Sequence, residues 1–101
     1  MDPAKPSISI SDVVVSTAGR DKGQYFYVID VDDTFVMLVN GRDRTPEKPK
    51  RKKRKHIAMV LRSETRVARK IQEGDKVLNS ELRRDLAFLS RAMQSNGLGG
   101  L

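Results

Sequence analysis

Apolar runs rich in β-branched and aromatic residues dominate the first part of the chain. ISDVVVS at 10–16, YFYVIDV at 25–31 and FVMLV at 35–39 each have the length and residue types of a strand. Asp32, Asp33 and Thr34 supply a turn between the second and third. Asn40-Gly41 marks another, because both residues tolerate positive φ. In HIAMVL, 56–61, Ile57, Met59 and Leu61 alternate with His56, Ala58 and Val60, which predicts a fourth strand. The period then changes. Ser63 can cap a short helix with Val67, Ala68 and Ile71 on one side and Gly74 at its end. Asn79 or Ser80 can cap a second, where Leu82, Leu86, Leu89 and Met93 form a narrow apolar stripe.

Strands followed by helices predict an α+β domain, mainly β. Short strands joined by tight turns would most economically curl into a small barrel. The expected organisation is a loose arm at 1–9, a barrel at 10–61 with a basic loop at 42–55, a helical extension at 62–95 and a glycine-rich mobile tail at 96–101. The loop assignment rests on polarity and on Pro46 and Pro49, since prolines rarely sit inside a sheet.

Charge changes this picture. The chain has 101 residues and a net charge of +7, with 20 basic and 13 acidic side chains. Lys48, Lys50, Arg51, Lys52, Lys53, Arg54 and Lys55 account for the whole excess; without them thirteen bases face thirteen acids. Charge this concentrated costs self-repulsion and points to a polyanionic partner. The absence of cysteine excludes disulfides, thiolate zinc sites and cysteine nucleophiles. MDPAKPSIS has no apolar core of a signal peptide and no run reaches the length of a membrane span, so the expected location is cytoplasmic.

The loop AGRDKGQ, 18–24, sets Arg20, Asp21 and Lys22 between two glycines. Taken alone it is a solvated bend with a local ion pair at Asp21. Its surroundings add more. VVVSTAGRDKGQYFYVIDVDDTFVMLVNG resembles a KOW motif, with Gly23 best matched to the motif's glycine. AGRDKG, then NG, then PKRKKRKHI, within residues 12–57, resembles in particular the large-subunit ribosomal protein family called "fourteen-e" and the short bacterial KOW-domain RNA-binding proteins similar to it. That resemblance implies an SH3-like β-barrel, to which the pattern above adds two short C-terminal helices. It also implies an RNA-binding face that includes Arg20, Lys22, Gly23, the basic run and His56. The implied partner is ribosomal RNA of the large subunit, with neighbouring ribosomal proteins.

Other readings stand beside it. The basic run could be a solubilising loop, a nuclear-import signal or a membrane-surface patch, the last without an adjacent amphipathic anchor. Phosphate binding explains seven cations in eight residues more directly, and predicts affinity that falls steeply with salt. Tyr25 and Tyr27 share one strand face and could stack on bases or cover the barrel. Asp30, Asp32 and Asp33 could bind a cation, but they fit a hairpin turn and lack the pattern of a calcium loop. His56 is the only histidine, so neither a catalytic dyad nor a metal site is expected. No cofactor, small-molecule substrate or enzymatic activity is expected either. The second function class is a protein-interaction SH3-like module in transcription or translation. Five aromatics and no tryptophan argue against a proline-peptide groove.

Overall fold

The strands at 25–31 and 35–39 form where the apolar runs place them, because β-branched and aromatic side chains pack well on a pleated surface. The structure is a computed structural model that describes residues 7–99, with side chains through Met93. Five strands come first: β1 (Asp12–Ser16), β2 (Tyr25–Val31), β3 (Phe35–Val39), β4 (Lys50–Lys53) and β5 (Ile57–Arg62). A single 3-10 turn, Arg54–His56, joins β4 to β5. Two helices follow, α1 (Arg66–Glu73) and α2 (Asn79–Gly99). The strands make one antiparallel sheet in the order β4-β3-β2-β1-β5. Register shifts at Val13/Val14 and Val28/Asp30 bend it. The sheet is open, with β4 and β5 at its edges.

Both faces of the central strands are buried, which is why YFYV and FVMLV read as continuous apolar runs. On one face Val14, Phe26, Val28, Val36 and Leu38 form a core that Ile8 and Ile57 help to close. On the other, Val13, Tyr27 and Val39 meet Val67 and Ala68 of α1 and Leu82 and Leu86 of α2. Around Tyr27 that face is therefore covered by the helices. Tyr27 is fully buried, so it has no access to a base, and Tyr25 packs half-buried at the rim of the same core.

A polar knot fastens the helices to the sheet. The Tyr27 hydroxyl donates to Asp85 Oδ2 of α2 and pairs with Ser63 Oγ at 2.8 Å and Thr65 Oγ1 at 3.2 Å. Thr65 Oγ1 also donates to Asp85 Oδ2 at 2.9 Å and accepts from Ala68 N, capping α1. Thr65, not Ser63, is thus the cap; Ser63 is drawn into the knot. Burial, with the Asp85 hydrogen bond second, holds the Tyr27 hydroxyl well above its ordinary pKa of 10.0. A pKa raised on folding adds stability that is complete below the unfolded value and lost as pH rises. Stability should therefore decline from about pH 10 upward. Tyr27→Phe should flatten that decline while costing about 1–3 kcal/mol at neutral pH, because Asp85 loses a buried donor. Chemical denaturation as a function of pH reads both effects.

Several boundaries differ from the sequence reading. Residues 7–9 of the expected arm are tied down: Ser9 N donates to Asp12 Oδ2 at 2.8 Å and Arg62 Nη2 to Ser7 O at 3.1 Å. Residues 1–6 lie outside the described residues. The first strand begins at Asp12, after a turn in which Ser11 takes φ 74°. Asn79 does not cap α2; its Oδ1 is buried without a hydrogen-bond partner among the described residues, and Glu81 accepts from Leu78 N instead. The helix continues through Gly99, across most of the expected tail, and residues 100–101 lie outside the described residues. Its stripe divides: Leu82 and Leu86 are core, Leu89 is half-buried and Met93 is exposed. Among the described residues no helix is long and apolar enough to cross a membrane.

Candidate nucleic-acid interface

The basic run is the largest departure from expectation. It is not a loop: Lys50–Lys53 form β4, paired to β3 with Lys53 opposite Phe35, Lys52 opposite Val36, Arg51 opposite Met37 and Lys50 opposite Leu38. The prolines stay outside it, Pro46 in the turn closed by a Thr45–Lys48 bridge and Pro49 immediately before the strand. An edge strand can be this cationic because its outer edge and one face meet water. Arg51 lays its guanidinium on the Phe35 ring, 3.6 Å from the centroid, so part of that face is covered by the cation itself.

The inward face needs a different solution. Lys52 shares it with Val36 and is 7% exposed. Its aliphatic stem lies along the core, and its ammonium emerges at the glycine loop. There Nζ donates to Asp21 Oδ1 at 2.6 Å and to Ala18 O at 2.7 Å. Asp21 also accepts from Ser16 Oγ at 2.7 Å. Burial by itself would raise the Asp21 pKa, but the hydrogen bonds from Lys52 and Ser16, with the charges of Lys52 and Lys50, outweigh it and hold the carboxyl below 3.8. Lys52, which the sequence reading placed among the RNA-facing residues, is thus buried and committed to Asp21. Asp21 pairs across 31 residues of chain and not within its own loop.

The loop is shaped by that anchor. Gly19 and Gly23 take φ of 85° and 90°, and Gly23 N donates to Ser16 O at 2.8 Å, which returns the chain to β2. With Asp21 turned inward, Arg20 and Lys22 are left exposed on either side of it. Arg20, Lys50 and Arg44 line one cleft with Gly19 and Lys52. Lys53, Arg54 and Lys55 line a second, more open one against Asp33 and Thr34 of the β2–β3 turn. Arg54 is partly committed there, donating from Nη1 to Asp32 O at 2.8 Å. Asp32 closes that turn by accepting from Thr34 N and Phe35 N, the role of a hairpin residue. Lys48 is exposed before β4. His56 is half-buried, and its carbonyl accepts from Thr17 N at 2.9 Å.

The structure therefore brings Arg20 and Lys50 together at the glycine loop, sets Arg51 and Lys53 on the opposite face of β4, and places Lys55 in the 3-10 turn that follows. Among the described residues the ion pairs are Lys52–Asp21, Arg62–Asp12 and Lys70–Glu81, so Lys52 is the one member of the basic run neutralised in this way. Sequence reasoning missed Arg42, Arg44 and Arg83. The first two follow the Asn40-Gly41 turn, and Arg83 reaches that turn from α2 with Nη1 2.6 Å from Gly41 O. It also missed the outward side of α2, where Phe88 is 65% exposed between Arg84 and Arg91, four residues before and three after. No protein-family model matches the chain.

Proposed function

We propose that the protein is a non-catalytic RNA-binding domain of KOW type. It grips phosphates along β4 and at the glycine loop, and its favoured partner is large-subunit ribosomal RNA in the cytoplasm, beside other ribosomal proteins. The observation that carries this reading is the cationic edge strand: Lys50 shares a cleft with Arg20 on one face, Arg51 and Lys53 lie on the other, and Lys55 follows in the 3-10 turn, none of them in an ion pair among the described residues. Lysines in a row act as point charges, so they supply affinity more than sequence choice. An antiparallel meander whose last strand returns to the first, bent at two register shifts around an apolar inner face, supports the SH3-like form of the resemblance.

The test is binding to a structured ribosomal RNA fragment, and to ribosomes by co-sedimentation, across a salt series. The natural chain should bind with a steep slope of log K against log salt. Changing Lys50, Arg51, Lys53 and Lys55 to glutamine should reduce that slope by about 3, at roughly 0.7 to 0.9 per lost phosphate contact. A flat salt dependence in the natural chain would sink the proposal. Association with ribosomes that survives the glutamine changes would instead favour a protein-binding role.

A further inference from the structure

Beside the glycine loop lies a third cleft, which no part of the basic run lines. Its walls come from three elements: Gly23, Gln24 and Tyr25 at the start of β2, the turn after β3 with Arg42, and α2 with Arg83, Ala87 and Ser90. It is open to solvent and encloses about 730 Å³. The Arg42 backbone is held by N–H donation to Asn40 Oδ1 at 2.9 Å, which leaves the guanidinium exposed at the rim. Arg83 stands on the helical side, fixed to Gly41 O. Asp43, which accepts from Asn40 Nδ2 at 3.0 Å, adds a carboxylate to the lining. That carboxylate would repel a phosphate but accept from a base amino group, so a nucleotide would enter base first with its phosphate at the rim.

We propose that this cleft takes one unpaired nucleotide of the RNA held by β4, with its base against Tyr25 and its phosphate at Arg42. The inference rests on the RNA-binding reading above and adds to it a preference for looped or single-stranded RNA. A concave site between a helix and a sheet rim admits an extruded nucleotide and excludes a paired helix. Gly23 lines the cleft and closes the loop that carries Arg20 and Lys22, so one strand can pass from the loop into it.

The probe is a hairpin RNA with 2-aminopurine in its loop, compared with a fully paired duplex of the same length. Binding of the natural chain should quench the loop fluorophore, and Tyr25→Leu should abolish the quench. Ala87→Leu fills the cleft without changing charge. It should weaken hairpin binding by about ten-fold, the order expected when one base stack is lost, and leave duplex binding unchanged. Ala87 is exposed, so folding is preserved, and thermal melting verifies it. If Ala87→Leu and Tyr25→Leu bind both RNAs as the natural chain does, with the quench intact, the cleft is not a subsite, while salt-dependent binding through β4 still stands. If the natural chain binds neither RNA, both proposals fall.

Discussion

Gly41→Ala should destabilise the protein by about 3 kcal/mol or more and loosen α2 from the sheet. Two costs coincide at this position. Gly41 takes φ 78°, a region where a side chain costs about 1–2 kcal/mol. It is also buried, and an added Cβ would overlap the Asn79 carbonyl oxygen while lying 2.9 Å from Leu82 Cβ and 3.2 Å from Arg83 Cγ. Asn79 and Leu82 belong to the first turns of α2, and Leu82 is core, so the overlap is relieved only by shifting the helix. A domain of this size has about 5–15 kcal/mol in all, so the melting temperature should drop by more than about 10 °C. Gly23→Ala is the control. Its φ is 90°, but nothing lies within 4 Å of the added atom, so only the backbone cost applies. Equal losses for the two variants would show that close packing against α2 does not limit position 41.

Lys52→Met should cost about 3 kcal/mol, the low end for breaking a buried pair, because Asp21 keeps 17% exposure and the Ser16 hydroxyl. Asp21→Asn added to Lys52→Met should recover part of that loss, since the stranded charge is gone. A double-mutant cycle should then give a coupling of about 1 kcal/mol or more. Acid supplies an independent check. A carboxyl with a depressed folded pKa adds stability above its unfolded value and loses it as pH falls through the folded one. The gap between the natural chain and Lys52→Met should accordingly narrow below pH 3.8. Under the proposed RNA binding, the double variant should keep the natural salt slope, because an ammonium committed to Asp21 is not expected to hold a phosphate. A slope reduced by about 1 would return Lys52 to the RNA-facing set.

The same residue shows where the sequence was legible and where it was not. Tyr25–Val31 and Phe35–Val39 could be bounded from residue type alone, because β-branched and aromatic runs there end at Asp32 and Asn40, whose side chains make the turns. Gly74 could be placed at the end of α1 for the same kind of local reason; it takes φ 74° and its N–H reaches Ile71 O. The strand Lys50–Lys53 could not, since nothing in KRKK announces a sheet. It pairs because β3 offers a free edge and Asp21, distant in sequence, receives the one cation of the strand that is buried. Tyr27 was ambiguous for a related reason. Alternation gives a strand two faces, but only the arrival of α1 and α2 decides that both are covered. Of the candidate site, Arg20 and Lys22 could be read from the loop, whereas Arg83 becomes visible only when α2 packs beside Gly41.

The cationic edge has a consequence for colloidal behaviour. An open sheet offers unpaired backbone N–H and C=O groups at its rim, a template on which a second copy could add its own strand. At one of its two rims, β4, Arg51 and Lys53 place like charge where such a neighbour would have to dock. Mutual repulsion at this rim should oppose such pairing in dilute salt. The glutamine-substituted protein, or the natural one in concentrated salt that screens the repulsion, should therefore show concentration-dependent edge-to-edge association by light scattering. A bound polyanion would cover the rim as it neutralises it, so the ligand would take over the protective role of the charge.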